Sequence, residues 1–417
     1  MRFPRGRRLL VTAVVALLAT AAVVVIVHRV LAPAEVSTVA RADYPAPARP
    51  AAGVIGRLPA APLIVDGRLR VYAAHRQVYA DRPVDGRYRT TPYWSYRRWP
   101  AELTGVVASG STVVSRWSDG RLVALDARTG GVLWRTDGPE PAESAALVRR
   151  TGATTVWDAP GLQLTDLPDG RIVLVVTGGA QARGVELSGG QELWRVELPG
   201  RCWSDVGTAA GQLIGLDTCA GAATVEFRDA ATGAVRERWR PPNGPDGLVL
   251  TPLGCRTGRS DCLGLRTAAP GDDGGRGWLL GAGPPVAAPA LDSAGAALVG
   301  EQSVAVLDGV VVGRSARMGT ELWRSAGLGA ARVLAGQPGR VHLLTEANDL
   351  VTLDPVTGRQ LSRFALNVGS DGTGWAPGAV TAEDGFVAVE RLREPVDPAG
   401  DDRRYYYTGE AVILAAT

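Results

Sequence analysis

The chain has 417 residues, 46% of them hydrophobic, with 45 basic side chains against 42 acidic ones and a formal net charge of +3. That apolar share can build a sizeable core and excludes general disorder, while so small a net charge gives no basis for nucleic-acid binding. Every basic residue is Arg and none is Lys, beside 53 Gly and heavy use of Ala and Pro, which is the usage of a GC-rich bacterial genome.

In chain order, Arg2, Arg5, Arg7 and Arg8 make residues 1–8 a basic segment, and an uncharged apolar run extends from Leu9 to Val27. The run is long enough to cross a bilayer as a helix, so residues 9–31 read as one transmembrane signal anchor. Positive-inside bias puts the arginines in the cytoplasm and everything after His28 outside. The rival is a cleaved signal peptide ending near Ala32-Pro33-Ala34; its apolar part would be unusually long, and Pro sits awkwardly between the alanines. Residues 32–53, with Pro33, Pro45, Pro47 and Pro50, read as a stiff extended stalk, and residues 54–417 as a single folded unit. Leu63 to Tyr72 reads as a strand pair. Tyr93 to Pro100 then packs four aromatics around two arginines. Tyr, Trp and Arg dominate binding hot spots, which makes Trp94, Tyr96, Arg97, Arg98 and Trp99 the candidate partner-binding residues. The competing reading buries Trp94 or Trp99 as a packing ring and leaves the arginines snorkelling at its rim.

The phrase Ala124-Leu125-Asp126-Ala127-Arg128-Thr129-Gly130-Gly131-Val132-Leu133-Trp134 recurs in weaker copies. Gly184 to Trp194 and Gly313 to Trp323 repeat it at full length. Asp229 to Gly233 keeps the turn with extra residues before Trp239, and Asp354 to Gly358 keeps it with Ser362 in place of the ring. Trp278 falls at the right interval without the turn. Each copy reads as two strands joined by a tight turn in which Asp caps the backbone and Gly130 supplies the left-handed position. A self-similarity of roughly 40 residues means a repeat architecture. A single small sheet cannot bury both faces, so neighbouring copies must stack radially into a closed propeller.

The phrase resembles the tryptophan-docking motif of the pyrroloquinoline-quinone-like β-propellers. That resemblance implies an all-β propeller of seven or eight blades, eight favoured, behind the one N-terminal transmembrane helix. Each blade's Trp would stack between a small residue of its own blade and a Gly-containing peptide of the next. The motif is complete only at Ala124, Asp126, Thr129, Gly130 and Trp134; Gly190, Trp194, Gly233, Trp239, Trp278, Gly319, Trp323 and Gly358 are expected to share the docking role. The chain is also similar to the propeller lipoprotein of outer-membrane assembly, which implies protein binding through blade loops. No cysteine follows the apolar run to carry a lipid, so the role in outer-membrane assembly is not transferred. A propeller must join its first and last blades, and the strand signal at Tyr405 to Ala415 predicts a last blade completed by an N-terminal strand.

Chemistry is sparse. Cys202, Cys219, Cys255 and Cys262 all lie in the exported portion, where an even count favours disulfides. Three connectivities are open, with the local pairs Cys202–Cys219 and Cys255–Cys262 expected; the spacings do not suit zinc. Leu187-Ser188-Gly189-Gly190-Gln191 spells the transporter-ATPase signature, but nucleotide hydrolysis of that class needs a phosphate-binding Lys and there is none. Quinone dehydrogenases share the propeller and carry an adjacent-cysteine disulfide, a calcium site and an aspartate base; no two cysteines here are adjacent, and no carboxylate cluster has ligand spacing. His75 and His342 have no His partner and read as locally hydrogen-bonded strand residues. No catalytic, cofactor-binding or metal residue is therefore assigned. The expectation is a non-catalytic interaction scaffold or sensor, single-pass in the cell membrane through residues 9–31, with its propeller outside the cytoplasm and an unknown protein partner; the alternative is a quinone- or sugar-active enzyme with its site in the central channel.

Overall fold

A computed structural model describes residues 13–21, 23, 34–141, 149–242, 244, 247–272, 274–366, 374–393 and 410–417. Eight antiparallel sheets form eight blades of a β-propeller. Blade 1 takes its first four strands from Leu63–Val65, Leu69–Ala74, Gln77–Asp81 and Trp94–Trp99. Blades 2 to 7 follow in order along the chain, each a meander of four neighbouring strands. In blade 8 the strands Ala376–Glu383, Phe386–Leu392 and Val412–Ala416 are joined by Gly53–Leu58 from the far end of the sequence. The closing register runs from Gly53 opposite Ala416 to Leu58 opposite Val412. Closure is thus as expected, but the strand that makes it precedes the Leu63–Tyr72 pair. Residues 405–409 of the expected terminal strand lie outside the described residues.

Buried side chains gather in layers between blades. One layer joins Leu122, Ala124 and Trp134 of blade 2 to Leu162, Leu174, Val185 and Leu187 of blade 3. The next joins blade 3 to blade 4 through Val173, Val175, Trp194 and Leu213, and another joins blade 7 to blade 8 through Leu344, Leu350, Val389 and Ile413. A propeller face is apolar on both sides because every blade is packed on both sides.

The docking rings hold these layers. Trp134 donates its indole N–H to the Leu187 carbonyl at 2.8 Å, Trp194 to Ala230 at 2.6 Å, and Trp323 to Pro355 at 2.9 Å. A Cβ added at Gly190, Gly233 or Gly358 would come within 2.5–2.7 Å of those same rings, so each ring lies flat on the glycine of the next blade's turn. On the ring's other side stands its own blade's small residue, Ala124 opposite Trp134, Gly184 opposite Trp194 and Gly313 opposite Trp323. The acidic residue shapes the turn: Asp354 accepts from the amides of Val356 and Thr357 at 2.8 and 3.1 Å, and Asp229 from those of Ala231 and Thr232. Asp126 accepts from the Arg128 amide and the Thr129 hydroxyl. Glu186 does the same work at Ser188 and Gly189, which disposes of the transporter-ATPase signature as a turn.

Two of the expected dockings fail. Trp278 bonds Thr267 of its own blade at 3.0 Å, and open space surrounds the Cα of Gly319, which no ring covers. Trp239 meets Trp278 edge-on at 4.9 Å instead of lying on a turn. In blade 4 the docking position falls on Phe227 opposite Glu237, and Trp239 lies two residues beyond it opposite Val225; Trp278 stands opposite Leu265, where the docked rings face Ala or Gly.

The segment 32–53 is not a free stalk. Ala34–Thr38 pairs antiparallel with Trp94–Trp99 and makes a fifth, outermost strand of blade 1. Beyond it the chain is tied down by the Ala40 amide on the Thr129 carbonyl at 2.8 Å and the Ala48 amide on the Gly67 carbonyl at 3.0 Å. Of the expected anchor over 9–31, residues 13–21 and 23 are helical and exposed and the rest lie outside the described residues; among the described residues no helix is long and apolar enough to cross a membrane.

Truncating Trp134 to Ala removes a ring packed on both faces and should cost about 3–5 kcal/mol, read by chemical denaturation; a loss under about 1 kcal/mol would contradict the docking geometry. Deleting residues 412–417 opens the ring and should abolish cooperative unfolding, whereas a full melting transition would show that closure is dispensable.

Candidate functional site

Strand connectivity gives the propeller two distinct faces. One carries the turns within each blade that hold the docked rings, together with the hairpins between first and second strands; here it is the docking face. The other carries the links from blade to blade; here it is the connector face. Each face sends one long insertion into the central channel.

From the connector face comes the link between blades 2 and 3. It contains the helix α1 (Ala153–Val156), whose Ala153, Thr155 and Val156 are buried. Trp157 follows and donates its indole N–H to the Pro62 carbonyl at 2.8 Å. Arg149 reaches Glu390 of blade 8 at 2.9 Å, and the Thr151 hydroxyl lies against the same carboxylate. Arg116 ties both ends of the link to blade 2, donating to the carbonyls of Pro139 and Gly161 at 3.0 Å each. Burial lowers the Arg116 guanidinium to about 10, so it stays charged while serving only carbonyls.

From the docking face comes the hairpin of blade 5, closed by the disulfide Cys255–Cys262. It crosses the channel mouth and touches three other blades. The Ser260 hydroxyl accepts from the Leu164 amide and Asp261 from the Thr165 hydroxyl of blade 3, at 2.9 and 2.6 Å. The Arg259 carbonyl accepts from the Thr208 amide of blade 4 at 2.8 Å. Thr257 donates to Glu383 of blade 8 at 2.6 Å. The two insertions meet inside, where Gly258 faces the Trp157 carbonyl and Arg259 pairs with Asp158 at 2.9 Å. Beside this contact remains a cavity of about 600 Å³ toward blades 5 to 8, lined in part by Arg149, Asp158, Arg256 and Leu334.

Burial pushes the Glu383 carboxyl up to about 7, against the pull of its Thr257 hydrogen bond and with a further push from Asp384. His342 is buried between Gln337 and Thr352, at 2.8 and 3.0 Å, and burial lowers it to about 3. It is a neutral packing residue, and His75 is an exposed partner of Glu102 at 3.0 Å.

The candidate partner-binding residues are mostly interior. Trp94 is a docking ring: it donates to the Ala127 carbonyl at 2.8 Å, lies on Gly130 and stands opposite Ala80. Tyr96 is buried edge-on against Trp117 at 5.9 Å. Arg98 grips Asp119 with two bonds at 2.8 and 2.9 Å and reaches Glu35 of the added strand at 3.3 Å. Only Arg97 is exposed and Trp99 half-exposed, the latter under the Arg76 guanidinium at 4.1 Å. The cysteines pair locally, Cys202–Cys219 in blade 4 and Cys255–Cys262 in blade 5. The channel hairpin gives no signal in the sequence beyond its Cys-flanked loop, since all its partners are remote in the chain.

Among known proteins, the family described as outer membrane protein assembly factor BamB matches residues 47–159, which span the closing strand, blades 1 and 2 and the link after them. Among solved structures, BamB from Moraxella catarrhalis is similar at 16% identity and a TM-score of 0.44, covering 86% of this chain and 93% of that one. The C-terminal WD40 domain of Sif2 is similar at 13% identity and a TM-score of 0.48, covering 88% and 98%. The quinohemoprotein alcohol dehydrogenase from Comamonas testosteroni is similar at 12% identity and a TM-score of 0.44, covering 87% and 75%. No curated protein sequence matches the chain. The fold is a pyrroloquinoline-quinone-like β-propeller, as the docked rings and the family match both indicate.

Gly258 and Trp157 meet within the channel, and among the described residues no three His, Cys, Asp or Glu side chains converge on one point.

An acid whose pKa is raised in the fold stabilises it most below the ordinary value, here 4.5, and that contribution is lost as pH rises through about 7. Melting temperature should therefore fall across that window more steeply in the natural chain than in Glu383→Gln. Equal slopes would contradict the assigned environment.

Proposed function

We propose that the chain is a non-catalytic scaffold for protein partners, held at the cell membrane by residues 9–31 with its propeller on the extracytoplasmic side. One observation carries the reading. The channel, where a propeller enzyme would place its chemistry, is occupied from both ends by the chain's own insertions, each fastened to several blades. What remains for recognition is the loops of the two faces. Blade loops on a rigid scaffold are the usual place for binding residues.

Two further features support it. The family that matches residues 47–159 is described as an assembly factor, which favours protein binding over turnover. Both disulfides close short local loops, and structural disulfides belong to oxidising compartments outside the cytoplasm.

Protease added to spheroplasts should degrade the propeller while cytoplasmic controls survive, and covalent crosslinking in intact cells should join the full chain to discrete protein partners. Protection from the protease would contradict the extracytoplasmic placement. Dye reduction by purified protein on adding quinone and calcium would contradict the non-catalytic reading.

A further inference from the structure

The added strand fixes where the chain meets the membrane. Ala34 lies opposite Trp99 and Thr38 opposite Ser95. Trp99 is the connector-face end of its strand, because the next links are the Leu103 amide to the His75 carbonyl and the Arg98 amide to the Arg76 carbonyl. Thr38 is the docking-face end, because Ala40 bonds the docking turn of blade 2 at Thr129. The chain therefore enters blade 1 at its connector-face rim and leaves at its docking face.

The strand is also locked in place. Glu35 is held by Arg98 at 3.3 Å and by Arg135 of blade 2 at 3.1 Å, and five consecutive residue pairs, from Ala34↔Trp99 to Thr38↔Ser95, are in register with Trp94–Trp99. At about 3.5 Å per residue, the chain between residue 31 and Ala34 spans at most about 10 Å. The rim at Ala34 carries an aromatic ring and a cation together: Trp99, half-buried, beneath Arg76, whose Nε donates to the Pro100 carbonyl at 3.1 Å and whose guanidinium also pairs with the exposed Glu102 at 3.6 Å. Beside them Arg97 is exposed. The Trp99 indole N–H is itself buried, so what the rim presents is the exposed edge of an aromatic ring beside Arg side chains, residue types that settle at the headgroup layer of a bilayer.

We propose that the connector-face rim of blade 1, around Trp99, Arg76 and Arg97, rests on the phospholipid headgroups of the membrane that holds the anchor, so that the docking face with its Cys255–Cys262 hairpin points away and is the face open to partners. The inference rests on the anchored reading above. It turns the absence of a stalk into an orientation: the propeller is held close to the bilayer with one face hidden.

Two exposed positions on the same blade test it, Ala74 at the connector face and Thr91 at the docking face. Ala74→Cys and Thr91→Cys, made separately in the full chain and spin-labelled, are reconstituted in vesicles of phosphatidylethanolamine and phosphatidylglycerol containing a nickel-chelating lipid. The label at position 74 should be relaxed by headgroup nickel several-fold more strongly than that at position 91. Equal relaxation, or the reverse order, in protein that floats with the vesicles would overturn the orientation alone. Protein that does not float with the vesicles would overturn the anchored reading and the orientation with it.

Discussion

An indole ring lying on a glycine peptide of the neighbouring blade is the contact on which this structure depends. At Trp94, Trp134, Trp194 and Trp323 the ring is clamped between a small residue of its own blade and a left-handed glycine of the next, and its N–H satisfies a carbonyl that the turn leaves unpaired. The contact combines a large buried aromatic area with one fixed hydrogen bond. It therefore sets both the spacing and the rotation between adjacent sheets. The requirements are steric as much as chemical. Where Phe227 takes the small-residue position in blade 4 and Leu265 faces the ring in blade 5, Trp239 and Trp278 pack edge-on against each other instead.

That constraint explains how much of the fold could be read in the residues. Asp126, Thr129, Gly130 and Trp134 sit close in sequence, so the turn and its ring are legible as a phrase, and the same holds for Glu186 to Trp194. Trp94 is only half legible: the sequence offers it or Trp99 as a packing ring, and no docking turn precedes it to decide between the two. The periodic spacing of Trp278 misled because interval alone does not report the residue across the ladder. The strand Ala34–Thr38 was masked by its Pro-rich surroundings, although no proline falls between Pro33 and Pro45 and Val36 and Thr38 suit an edge strand. Backbone pairing leaves little trace in composition.

The channel was the least legible part. Its hairpin draws on Leu164, Thr165, Thr208 and Glu383, which come from three blades and are united only when the ring closes. The same is true of Arg149 and Thr151 at Glu390. Ring closure, docking and channel filling are thus one cooperative assembly: the blade contacts bring the insertions together, and the insertions brace blades that are not neighbours. A toroid filled in this way presents two faces of loops, with a cavity of about 600 Å³ left beside the two insertions.

Hydrogen exchange of the indole N–H groups tests the docking claim most directly. If the rings are clamped as described, the indole protons of Trp94, Trp134, Trp194 and Trp323 should exchange only through global unfolding, all with the same high protection. Exchange of any of these four at rates near those of a solvent-exposed indole would contradict the account.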